Sequence, residues 1–99
     1  MADAIVRAKA LRWISDDQPG VIEVSIVDSD GREHRIIEKV PVLTSREFTS
    51  ASAFPADLWI RADTGTIEGE RVQVFFAYSV ETTEGLIGLA VATADVKWL

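Results

Sequence analysis

Few side chains in this sequence are of the types that do chemistry. Asp28-Ser29-Asp30-Gly31 sets two carboxylates two residues apart beside a glycine, as the opening of a calcium loop would. His34 is the single histidine, so any imidazole base, catalytic triad or histidine metal site must use it. No cysteine is present, which removes thiol nucleophiles, thiolate ligands and disulfides. Asp and Glu total 16, enough to supply a carboxylate pair for glycoside cleavage by count alone. Half of them, however, sit where turns are expected: Asp16, Asp17, Asp28, Asp30, Glu68, Glu70, Glu81 and Glu84. The sequence contains no G-x-S-x-G, P-loop, dinucleotide fingerprint or H-E-x-x-H. Gly65, Gly69, Gly85 and Gly88 are scattered and read as turns and a strand irregularity, not as a phosphate cradle. The expectation is a protein that is not an enzyme, with no cofactor and no metal.

Calcium requires about six oxygen ligands from a longer loop that ends in a bidentate carboxylate. Here strand-like residues follow Gly31 at once. Ile22, Val24 and Ile26 alternate with Glu23 and Ser25, and His34 and Ile36 alternate with Glu33, Arg35 and Ile37. That period of two marks two half-buried strands. Ser29-Asp30-Gly31 then forms a three-residue hairpin loop, with glycine in the left-handed bulge position. The register follows: Asp28 opposite Arg32, Ile26 opposite His34, Val24 opposite Ile36, and Ser25 opposite Arg35 on the outer face. His34 is thus expected to be a satisfied strand histidine facing the core.

The same alternation recurs in Leu58-Ile60-Ala62, in Val72-Val74-Phe76-Tyr78-Val80, and in Leu89-Val91-Thr93, with Val96 and Trp98 continuing past an irregularity at Ala94-Asp95. Residues 3–14 are alanine-rich and leave a short helix open. The strand reading is preferred, with Val6, Ala8 and Ala10 on one face and Ile5, Arg7, Lys9 and Leu11 on the other. Thr44-Ser45-Arg46-Glu47 matches a capping box and predicts one short helical turn within 44–50. Together these elements predict a single all-β domain over residues 1–99. About six antiparallel strands would curl into a small barrel or sandwich.

Net charge is −6 over 99 residues, at 47% hydrophobic and 26% charged, which describes an ordinary globular domain. The first fifty residues hold seven bases and nine acids, and the remainder three and seven. No half is basic, so neither nucleic acid nor membrane is an expected partner. Arg7, Lys9 and Arg12 beside Trp13 hint at a basic aromatic patch, but strict alternation turns Arg12 away from the other two. The opening residues resemble neither a signal peptide nor a membrane span, and a cysteine-free chain suits the cytoplasm.

Residues 12–42 carry Trp13 with Asp16, Asp17, Pro19 and Gly20, then Asp28-Ser29-Asp30-Gly31, then Lys39-Val40-Pro41-Val42. This run resembles a small, uncharacterised bacterial family of all-β proteins, with a Trp-acidic-Pro-Gly opening, an Asp-x-Asp-Gly hairpin and a Lys-x-Pro-Val exit. The resemblance implies the fold and no activity. By class, a short, acidic, cysteine-free domain is similar to toxin-neutralising immunity proteins. The functional expectation is therefore a protein-binding module that presents acidic loops to another, basic protein, and a homodimer through an exposed sheet face is compatible with it. The candidate binding residues are Trp59 and Arg61, as an aromatic anchor beside a cation, and the loop acids Glu68, Glu70, Glu81 and Glu84. The alternative is a small barrel that binds a small ligand or an oligonucleotide. In that case Trp59, Phe75 and Tyr78 would line the mouth.

The turn reading predicts that calcium leaves the protein unchanged. Thermal melts with and without sub-millimolar calcium should superimpose. A calcium-dependent rise in Tm that Asp30→Asn abolishes would restore the calcium loop.

Overall fold

The computed structural model describes residues 2–99. Seven strands follow in order: β1 (Ala4–Ser15), β2 (Val21–Val27), β3 (Glu33–Lys39), β4 (Ala56–Glu68), β5 (Arg71–Phe76), β6 (Gly88–Ala92) and β7 (Val96–Trp98). One short helical turn, α1 (Val40–Leu43), lies between β3 and β4. The strands form one antiparallel sheet in the order β3-β2-β1-β4-β5-β6, curled into a half-barrel, with β7 returning to pair with β1. Two backbone bonds tie the outer strands to distant loops: Ser29 N–H donates to Ala90 O at 2.8 Å and Thr83 N–H to Arg35 O at 2.8 Å. No helix among the described residues is long and apolar enough to cross a membrane.

The β2–β3 hairpin has the register its sequence dictates. Val24 faces Ile36, Ser25 faces Arg35 and Ile26 faces His34. Gly31 has φ +82°, and its N–H donates to Asp28 O at 3.0 Å. Ile22, Val24, Ile26, His34 and Ile36 are all buried. Residues 4–15 form a strand despite their helix-favouring alanines, because cross-strand packing outweighs local propensity. Ala4 faces Ala62, Ala8 faces Leu58 and Ala10 faces Ala56. Small side chains on the concave face leave the curled sheet room to close over Val6, Ile60 and Val74, each 0% exposed.

Strict alternation fails inside β1. Ala10 pairs with Val24 but Arg12 pairs with Glu23, so Leu11 is an extra, bulged residue. A bulge reverses the facing of everything beyond it. Arg12 therefore joins Arg7 and Lys9 on the outer face, where alternation had turned it away, and Trp13 turns in against the core. The Trp13 indole N–H donates to Asp16 Oδ1 at 2.7 Å, and its ring lies where a β-carbon on Gly20 would stand. The Gly20 carbonyl in turn accepts the Val40 N–H at 3.0 Å. The Trp-acidic-Pro-Gly opening and the Lys-x-Pro-Val exit thus build one corner of the fold.

The helical turn lies at 40–43, ahead of the 44–50 expected from the capping box. Pro41 falls in its first turn, where no N–H is needed and a fixed φ is an advantage. Thr44 ends that turn instead of starting one, and its Oγ1 accepts the Arg46 N–H at 3.1 Å. The β5 strand also ends earlier than its apolar pattern suggests. After Phe76 the chain turns through Ala77–Ser79, so Tyr78 is 71% exposed instead of continuing the core face. Phe75, on the other face, is uncovered as well, at 42%.

Gly31 supplies the test of the hairpin. A β-carbon there would meet nothing within 4 Å, so any penalty comes from the left-handed backbone alone. Gly31→Val should lower unfolding free energy in urea titration by about 1 kcal/mol or more. An unchanged midpoint would remove the turn assignment.

Candidate functional site

The six residues singled out by sequence fall in three places. Glu68 and Glu70 flank Gly69 at the β4–β5 turn and border a hollow shared with Ser29, Arg71 and Thr93. The hollow is anchored where Thr93 N–H donates to the Glu70 carbonyl at 2.8 Å. Glu81 and Glu84 lie on the loop between β5 and β6. Trp59 and Arg61 belong elsewhere, on the outer face of β4.

Hydrogen bonds around Thr82 hold the second acidic loop in shape. Thr82 N–H donates to Leu86 O at 2.8 Å, Gly85 N–H donates to Thr82 O at 2.9 Å, and Leu86 N–H donates to Thr82 Oγ1 at 3.1 Å. The tight turn displays Leu86 and Ile87, 42% and 59% exposed, next to Glu84. His34 connects this loop to the hairpin tip. Its Nε2 lies 2.8 Å from Asp28 Oδ2 and its Nδ1 lies 3.3 Å from Glu84 Oε1. Asp28 Oδ1 meanwhile accepts the N–H groups of Asp30 and Arg32, at 2.9 and 3.0 Å. Asp28 is thus committed to the turn and to His34, as the hairpin reading requires. Asp28 and Asp30 also bring their charge to the same rim as Glu84, Glu68 and Glu70. Sequence could not foresee this gathering, because His34 meets Glu84 fifty positions away and Ser29 shares a hollow with the distant Glu68 and Glu70.

The outer face of the sheet gathers six of the chain's ten bases, together with Glu23, Glu33 and Asp57. Arg7, Lys9, Arg12, Arg35, Arg61 and Lys97 share it, as their pairings along β1, β2, β3, β4 and β7 show. Some of that charge is compensated. Arg12 Nε meets Glu23 Oε1 at 2.6 Å, Arg35 meets Glu23 at 3.2 Å and Glu33 at 2.7 Å, and Arg7 meets Asp95 at 3.2 Å. The hydrogen bond from Arg12 holds the Glu23 carboxyl below the usual range against the opposing effect of burial, with Arg35 assisting. Trp59 is half-buried under two cations, the Arg7 guanidinium at 4.8 Å and the Lys97 ammonium at 4.2 Å from the ring. Arg61 donates to Pro41 O at 2.9 Å.

Trp59, Arg61 and Tyr78 line one groove, whereas Phe75 lies outside it. Tyr78 and the next residue, Ser79, both have left-handed backbones, at φ 58° and 59°. Each such residue costs about 1–3 kcal/mol, and the strain here turns an aromatic ring outward that a continued strand would bury. Among the described residues, no cluster of three His, Asp or Glu side chains is arranged to hold a metal ion. Comparisons with family models, with curated proteins and with solved structures give no match.

The Asp28 carboxyl is held below its ordinary value of 3.8, chiefly by the hydrogen bond from His34, with burial opposing and the two backbone donors assisting. The folded state therefore binds this proton less readily than the unfolded state. The stabilisation is complete above about pH 4 and is lost as pH falls through the depressed value. The stability difference between the wild type and Asp28→Asn, measured by denaturant titration, should shrink below about pH 4. A difference that stays constant down to pH 2 would show that Asp28 is not held in this way.

Proposed function

We propose that the chain is a non-enzymatic protein-binding module that docks a basic protein surface on its acidic rim, an immunity-type inhibitor being the most concrete form. The observation that carries this reading is the pairing of exposed apolar and acidic groups on one braced loop, Leu86 and Ile87 beside Glu84. Apolar side chains with acidic neighbours match the anatomy of an interface, in which a desolvated anchor supplies affinity and surrounding charge supplies steering. The loop is tied to β3 through Thr83 N–H and to His34 through Glu84, so binding would order little further chain. Glu68 and Glu70 extend the same negative field around the hairpin tip.

The partner would first be isolated from the native host, and its association rate then measured against salt. Replacing Glu68, Glu70, Glu81 and Glu84 together with glutamine should slow association and flatten the salt dependence. Ile87→Ser should speed dissociation. Stability should change by no more than about 1 kcal/mol for each exposed charge. If association with the captured protein were unchanged in the four-site variant, the rim would be solubilising surface only.

A further inference from the structure

A second hollow lies away from the acidic rim and is built differently. It is an open groove of about 730 Å³ on the outer side of β4, walled by Ile5, Trp59, Arg61, Tyr78 and Leu99 and closed at one end by the 44–46 turn. Two guanidinium groups border it, and each is anchored by a backbone carbonyl. Arg61 Nη1 donates to Pro41 O at 2.9 Å, and Arg46 Nη1 donates to the Asp57 carbonyl while its guanidinium covers Phe48 at 4.7 Å. Neither has an ion-pair partner among the described residues, where the arginine ion pairs belong to Arg7, Arg12 and Arg35. The Asp57 carboxylate, on the same wall, makes no ion pair with either of them. A carbonyl fixes a guanidinium without cancelling its charge and occupies only one of its five N–H donors. Two positioned, uncompensated positive charges therefore border one groove on a chain of net charge −6. Lys97, lying over Trp59 and without an ion pair among the described residues, adds to that field, whereas Arg7 is paired with Asp95.

The other walls are aromatic. Trp59 is held in place by its two cations, and Tyr78 is turned outward by the left-handed backbone at 78 and 79. Guanidinium forks match phosphate oxygens in geometry and charge, and the exposed Tyr78 ring offers a flat base an aromatic face. The volume falls within the range of small-molecule sites. We infer that this groove binds a nucleoside phosphate, with the phosphate on Arg46 and Arg61 and the base stacked on Tyr78, Trp59 forming the cation-covered wall beside it. Two positive charges favour a dianionic phosphate over a single carboxylate. The same chemistry has two sources, a free mononucleotide or the 5′-phosphorylated end of a single strand. The site is separate from the acidic rim, so it stands or falls independently of the docking proposal.

Titration calorimetry on the intact chain tests it with AMP, adenosine, inorganic phosphate, indole-3-acetate and a short 5′-phosphorylated oligodeoxyadenylate. AMP should bind, with adenosine and phosphate each weaker by about tenfold or more, since both halves of the site are needed. Arg46→Gln and Arg61→Gln should each weaken AMP by about tenfold. Because Arg61 also braces Pro41, Tyr78→Ala serves as a second variant at an exposed side chain, and it should weaken AMP while leaving phosphate binding unchanged. Neutralising Glu81 and Glu84 should not weaken AMP. Tighter binding of the oligonucleotide than of AMP would identify a strand end as the source, and equal or weaker binding a free nucleotide. No heat with AMP at millimolar concentration, affinity for indole-3-acetate equal to that for AMP, or indifference to all three substitutions would overturn the proposal.

Discussion

Backbone hydrogen bonding along both edges of β1 is the constraint that the remaining structure satisfies. One edge pairs with β4 from Ala4 to Ala10, and the other is shared, β7 taking Ala4–Val6 and β2 taking Lys9–Ser15. A strand flanked in this way cannot slide without breaking three ladders at once. It also bends the sheet, since β6 must turn through Thr93–Asp95 before β7 can reach β1. The alanines on the concave side permit that closure, and a bulge at Leu11 places Trp13 over Gly20.

The placement of charge follows from this architecture. The outer face of β1 receives Arg7 and Lys9 by alternation and Arg12 by the bulge, while β4 and β7 add Arg61 and Lys97 from opposite sides. The turns and the hairpin tip receive many of the carboxylates, while Glu23, Glu33 and Asp57 remain among the outer-face bases. A chain with an excess of acid thereby keeps a basic, aromatic face distinct from an acidic rim. Two surfaces of different chemistry suit two recognition events better than one, which is why we propose a basic protein for the rim and an anion for the groove.

Sequence exposed the candidate site only in part. Trp59 was legible as an outward strand aromatic, since it alternates with Leu58 and Ile60, and Glu68, Glu70, Glu81 and Glu84 as turn acids. Their grouping was not legible. Nothing local reveals that Lys97 and Arg7 converge on Trp59, that Arg46 reaches the same groove from a loop, or that Asp28 and Glu84 share His34. These contacts depend on which strands are neighbours, and long connections conceal that.

The β2–β3 hairpin shows what sequence alone can determine. Residues 22–36 are near neighbours in the chain, a glycine selects the turn, and a period of two selects the buried face, so the register follows from local chemistry. Where chain neighbours do not set the environment, tertiary structure decided the outcome. The alanines of β1 became strand because β4 and β2 packed against them. Arg12 reached the outer face because an extra residue in one ladder reversed its facing. Tyr78 left the core because the chain turned at Ala77 to bring Val80 inward. Each of these depends on pairing and packing between segments distant in sequence, whose combined energy exceeds the small local preferences that a sequence displays.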